Sequence, residues 1–114
     1  RRLRLAIGER CSADVSVIVS DTHGRPFRNG AVGVAIGVAG VSALLSYRGE
    51  PDLDGRTLRT SEEAVADELA AAASLLMGQG AEGRPVVIVR GYSRNRGEDS
   101  HAELLRAREN DLFR

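Results

Sequence analysis

Val15, Val17 and Val19 recur at every second position, which puts the three valines on one face of a strand spanning 15 to 20. Asp21 continues that parity just past the strand, so its side chain is expected to point toward whatever covers the valine face. Ahead of it, Leu3, Leu5 and Ile7 among Arg1, Arg2 and Arg4 read as the end of a helix over 1 to 10, with Ser12-Ala13-Asp14 as the turn out of it. Arg25 to Gly30 reads as a loop, followed by strand material over 31 to 38 and 41 to 46, parted by Gly40. Asp54-Gly55 signals a second turn after the Pro51 segment, leading into 56 to 59.

A helix from about Ser61 to Met77 is the strongest element. Thr60-Ser61-Glu62-Glu63 matches a capping box, Val65, Leu69, Ala72 and Leu76 recur at helical spacing, and Gly78 is a natural stop. Pro85 then introduces the run Val86 to Arg90, expected to be a buried strand. Tyr92 to Ser100 reads as a polar loop, and His101 to Arg108 as a short helical pattern around Leu104 and Leu105. The pattern predicts an α/β fold of α+β type with a mixed sheet: one compact unit, residues 1 to 114, without internal linker or repeat.

Composition narrows the function. A length of 114 residues allows one domain, and an opening inside an Arg-rich helical pattern suggests excision from something longer. Sixteen basic and sixteen acidic residues cancel, so no global field recruits nucleic acid or an anionic membrane. Every basic residue is Arg, which excludes a P-loop lysine and Schiff-base chemistry. The uncharged stretch Gly30 to Ser46 is shorter than the roughly 20 residues of a membrane span and is broken by glycines, so it reads as buried strand in a soluble protein. Cys11 is the only cysteine; no intrachain disulfide can form, and a reducing cytoplasm suits the chain.

The residues with the most chemistry are Ser20-Asp21-Thr22-His23-Gly24-Arg25, where a carboxylate and a hydroxyl follow an apolar run. Two readings apply: hard oxygen ligands for a metal-phosphate site, or an Asx-type turn closing on Gly24. Met77-Gly78-Gln79-Gly80-Ala81-Glu82-Gly83-Arg84 also has two. Its glycines let backbone amides approach phosphate while Arg84 offers a bidentate fork, or it is a connector with a C-cap glycine. Arg25 and Arg28 lie within reach of a polyanion if their loop folds back. Glu62, Glu63, Asp67 and Glu68 are explained by the positive end of the helix dipole. Gly37 to Gly40 is not a dinucleotide motif, and His23 and His101 have no zinc-ligand spacing.

Taken together, Val19-Ser20-Asp21-Thr22, Gly24 to Gly30, Val34 to Gly40, Ala64 to Ala70, Pro85 to Gly91 and Asp111 to Arg114 closely resemble the coenzyme F420-0:γ-glutamyl ligase family, in its order and with similar spacing. The resemblance covers the family's C-terminal half. It implies a ligase that uses GTP to join L-glutamate to coenzyme F420-0 through an acyl phosphate, with Mg²⁺ or Mn²⁺. By the same resemblance Asp21 and Thr22 bind metal, Gln79 completes the second metal site, and Met77 to Arg84 contact the guanine nucleotide. It further implies a homodimer or a partnering N-terminal ligase half, which supplies another metal-binding aspartate. Departures are Phe27, where members commonly carry Trp, and Val32-Gly33, where Thr-Asp is frequent. The rival expectation is an inactive fragment or assembly module that packs against that other half.

Overall fold

A computed structural model describes residues 1–93, 97 and 101–111. Its content is α+β. Helix α1 (Arg2–Cys11) precedes a long antiparallel hairpin of β1 (Val17–Arg25) and β2 (Arg28–Ala39). The short strands β3 (Leu45–Ser46) and β4 (Glu62–Glu63) form a second antiparallel pair, and helix α2 (Val65–Met77) packs on the hairpin. Among the described residues no helix is long and apolar enough to cross a membrane.

The hairpin departs from the expected strand boundaries. β1 does not stop at Ser20; Asp21 and Thr22 lie inside it, paired with Val34 and Gly33, and the chain reverses only at Pro26-Phe27. The Asx turn closing on Gly24 is therefore not formed. Extension is stable because every position from Ser20 to Gly24 finds a partner on β2, and a ladder satisfies more backbone groups than a turn.

Between Val19 and Ser20 the register slips and Ile36 is left unpaired, a bulge in β2. The neighbouring Ala35 N–H donates instead to Asp67 Oδ1 at 2.8 Å, pinning α2 to the sheet. Asp67→Ala should orphan that amide and lower stability by about 1–3 kcal/mol, whereas Asp67→Asn keeps an acceptor and should recover most of the loss. Urea unfolding of both variants tests this; equal losses would assign the effect to charge.

Five alanines and two valines make the core: Ala35, Ala39, Val41, Ala43, Val65, Ala66 and Ala70. Ile18 and Val38 pack against it. Small side chains bring helix and strand close, but each buried methyl contributes only about 0.8 kcal/mol, so the core is thin. The face of β1 toward α2 carries Ile18, Ser20 and Thr22, not the valine set. Val19 and Asp21 alternate to the opposite face, with Val19 47% exposed, which corrects the parity expected for Asp21; Asp21 nonetheless borders the cleft beside the end of α2.

Helix α2 starts at Val65, not Ser61, and carries no side-chain cap. Ser61 cannot cap it because its carbonyl accepts Tyr47 N–H, and Glu62 and Glu63 are drawn into β4. Arg48 pairs with Glu62 at 3.2 Å, and Tyr47 donates its hydroxyl proton to Glu63 at 2.7 Å. Of the four acids assigned to the helix dipole, only Asp67 and Glu68 lie in the first turn. The Glu68 carboxyl is held above its ordinary 4.5 by local desolvation, then by the charge of Glu63 and a hydrogen bond with it. The end at Gly78 holds, with φ 77° and its N–H donating to Ser74 O.

Three other expectations shift. Only Leu45–Ser46 of the 41 to 46 stretch pairs as strand, although Val41 and Ala43 are buried. His101–Leu104 and Arg108–Asn110 are 3₁₀ turns where a short helix was expected. Val86 to Arg90 forms neither a strand nor part of the core. Much of the expected 92 to 100 loop, and the Leu112 to Arg114 end, lie outside the described residues.

Candidate functional site

Strand alternation puts Ser20 and Thr22 on the helix-facing side of β1, and the last turn of α2 carries Ser74 and Met77 to the same place. The chain can come this close because Gly33, opposite Thr22, has no side chain. A Cβ there would lie 2.7 Å from Ala70 O and 3.0 Å from Ser74 Cβ. Between strand and helix end opens a cleft of about 290 Å³ lined by Ser20, Asp21, Thr22, Gly33, Ser74, Met77, Gly78, Gln79 and Gly80.

Thr22 Oγ1 donates to Gln79 Oε1 at 2.8 Å, joining residues 57 positions apart in the chain. Asp21 Oδ1 accepts the Thr22 N–H at 2.7 Å, which ties its carboxylate to the strand backbone at Thr22. Asp21, Thr22 and Gln79 are all exposed and all line the cleft. Each offers hard oxygen, the donor type that Mg²⁺ and Mn²⁺ prefer, so the set suits such a cation. Asp21 brings the only carboxylate among the lining residues, and the described residues contain no group of three His, Cys, Asp or Glu able to hold a metal ion. A cation held here would need further oxygens from phosphate or another chain segment.

The glycine-rich segment divides. Met77, Gly78, Gln79 and Gly80 line the cleft; Ala81, Glu82, Gly83 and Arg84 do not, and all four are exposed. Glu82 folds back, its Oε2 accepting the Gly80 N–H at 2.8 Å, and its carboxylate lies where a Gly78 side chain would be. Its visible part is thus to hold the loop that carries Gln79. Arg25 donates through Nη2 to Asn29 O at 3.2 Å within its own hairpin end. Ser20 opens the segment singled out in the sequence but was given no role, although it shares the parity of Thr22; Ser74, four residues before the helix stop, was missed.

Fold and cleft define an α+β domain that presents oxygen ligands beside a glycine-rich loop, an arrangement suited to phosphate-bearing ligands. Residues 1–91 match the family described as F420-0:Gamma-glutamyl ligase, and the chain belongs to that family. It is 57% identical to the coenzyme F420:L-glutamate ligase of Methanothermobacter thermautotrophicus over 93% of this chain and 43% of that protein. The proteins of the same name from Methanocaldococcus jannaschii and Archaeoglobus fulgidus are 50% and 49% identical, each over 99% of this chain and 45% of the relative. The chain thus spans somewhat less than half the length of these curated relatives.

Proposed function

We propose that this chain forms the metal- and nucleotide-binding part of a ligase that uses GTP to add L-glutamate to coenzyme F420-0 in coenzyme F420 biosynthesis. What carries the reading is the meeting of Asp21, Thr22 and Gln79 in one cleft, in a chain of this family. Those three residues would hold Mg²⁺ or Mn²⁺, which when bound supplies charge neutralisation on a triphosphate. Met77 to Arg84 would contact GTP: the Gln79 and Gly80 backbone at the cleft, Arg84 from its rim. Glu82 holds the loop in place through Gly80. A substrate carboxylate takes the γ-phosphoryl group of GTP and GDP leaves. The glutamate amine then attacks the acyl carbon, phosphate departs, and the amine proton passes to solvent. The chain's contribution is alignment of these groups, which alone accounts for a large part of such rates.

As partners we propose either a homodimer or an N-terminal ligase half, with no nucleic acid or membrane involved. An exposed, unbridged Cys11 supports a cytoplasmic setting. The second reading, an inactive assembly module, is favoured by the exposed apolar residues at 86 to 89. Glutamylation of F420-0 with GTP and Mn²⁺ separates the two. The chain alone should give none, and the chain combined with the portion of a relative that it does not match should give product. Failure with every such portion would favour the module.

A further inference from the structure

Pro85-Val86-Val87-Ile88-Val89-Arg90 joins four consecutive β-branched residues, the composition of a strand covered on both faces. In the structure it pairs with nothing: among the described residues no ladder or backbone hydrogen bond involves 86 to 90. Val86, Ile88 and Val89 are 77%, 73% and 50% exposed, and only Val87 is partly buried, so the run leaves most of its apolar surface uncovered. Pro85 occupies the first position, where a strand tolerates the loss of an amide donor.

The rest of the molecule shows the same deficit. Its accessible surface is 9024 Å², whereas a folded monomer of 12.2 kDa exposes about 6,100 Å². Among the described residues the hairpin sheet has two strands, so neither of its outer edges is paired in a ladder there. Leu3 and Leu5 on α1, and Leu75 and Leu76 at the end of α2, are each more than half exposed. An excess on the order of 3,000 Å² is at or above one partner's share of an obligate interface, whose total over both partners is about 2,000–5,000 Å².

We propose that 86–89 is an edge strand that pairs with the portion of the ligase fold lying outside the 43–45% of the relatives' length that this chain matches. That portion is the occupant because the relatives carry it in the same polypeptide, where its effective concentration exceeds that of a second copy. The inference rests on the ligase reading only for the identity of the partner.

Hydrogen exchange tests it in two settings. The chain is co-expressed with the unmatched portion of the Methanothermobacter thermautotrophicus protein, and the intact protein is measured in parallel in case that portion does not fold separately. Amides aligned with 86–89 should exchange rapidly in the chain alone and at least about 100-fold more slowly in the complex and in the intact relative. Ile88→Pro should abolish co-purification, while Leu53→Asp, in a fully exposed loop, should leave it intact. Rapid exchange at these positions in the intact relative would overturn the proposal. So would slow exchange in the chain alone accompanied by a dimeric mass, which would give the strand to a second copy. Protection without glutamylation would refute the ligase reading and leave the strand standing; glutamylation with unprotected amides would do the reverse.

Discussion

Asp21→Asn is expected to abolish nucleotide-enhanced Mn²⁺ binding and to lower glutamylation by the assembled enzyme by orders of magnitude, with little change in melting temperature. The two effects separate because the carboxylate has two separable uses. One is local: Oδ1 accepts the Thr22 N–H at 2.7 Å, and the amide oxygen of Asn serves equally well. The other is charge. Asp21 is the only carboxylate-bearing residue among those lining the cleft, and a divalent cation left with a hydroxyl and two amide oxygens would lose its only anionic protein ligand from that set. Asp21 is exposed, so the exchange costs no packing, and a surface change of this kind stays within about 0.5 kcal/mol, or roughly 2–4 °C for a domain of this size. Calorimetric Mn²⁺ titration with and without GDP, on both proteins, is the measurement. Equal binding by wild type and variant would remove Asp21 from the metal site and leave it a strand residue.

Gly33→Ala should destabilise the fold by about 1–3 kcal/mol and weaken the cleft at the same time. The added Cβ meets Ala70 O at 2.7 Å, and that obstacle is helix backbone in a buried turn, not a side chain that can swing away. The helix has to retreat. Its last turn carries Ser74 and leads into Gln79, so retreat lengthens the Thr22–Gln79 hydrogen bond as well as thinning the alanine core. Gly33→Asp should be worse, since it adds a charge where the strand meets the helix backbone. Urea unfolding gives the stability, and Mn²⁺ titration in the presence of GDP gives the site. Full stability in Gly33→Ala would mean that the close approach is relaxed in solution.

The sequence and its family resemblance single out the Asp21-Thr22 pair and the Gln79 loop as candidate ligands, and the structure places these residues on one cleft. Local signals also held where the local backbone decides the matter: α1, the Gly78 helix stop, and the Asp54-Gly55 turn, where Asp52 Oδ1 accepts the amides of Asp54 and Arg56.

Where a signal competed with a partner elsewhere in the chain, the partner won. The capping box at Thr60 to Glu63 was outbid by pairing with Leu45–Ser46, because a strand ladder and the Tyr47–Glu63 bond satisfy more groups than one cap. The turn expected at Asp21 to Gly24 gave way to a hairpin for the same reason. The sequence by itself determined the stop of α2 at Gly78, the apolar runs and the residue types able to hold phosphate or metal, since these follow from each residue's own conformational and chemical preferences. Only the tertiary structure decided which face of β1 meets α2, that Gly33 is where they touch, and that Thr22 reaches Gln79 across 57 residues. Such contacts depend on register and close approach, which no local preference encodes.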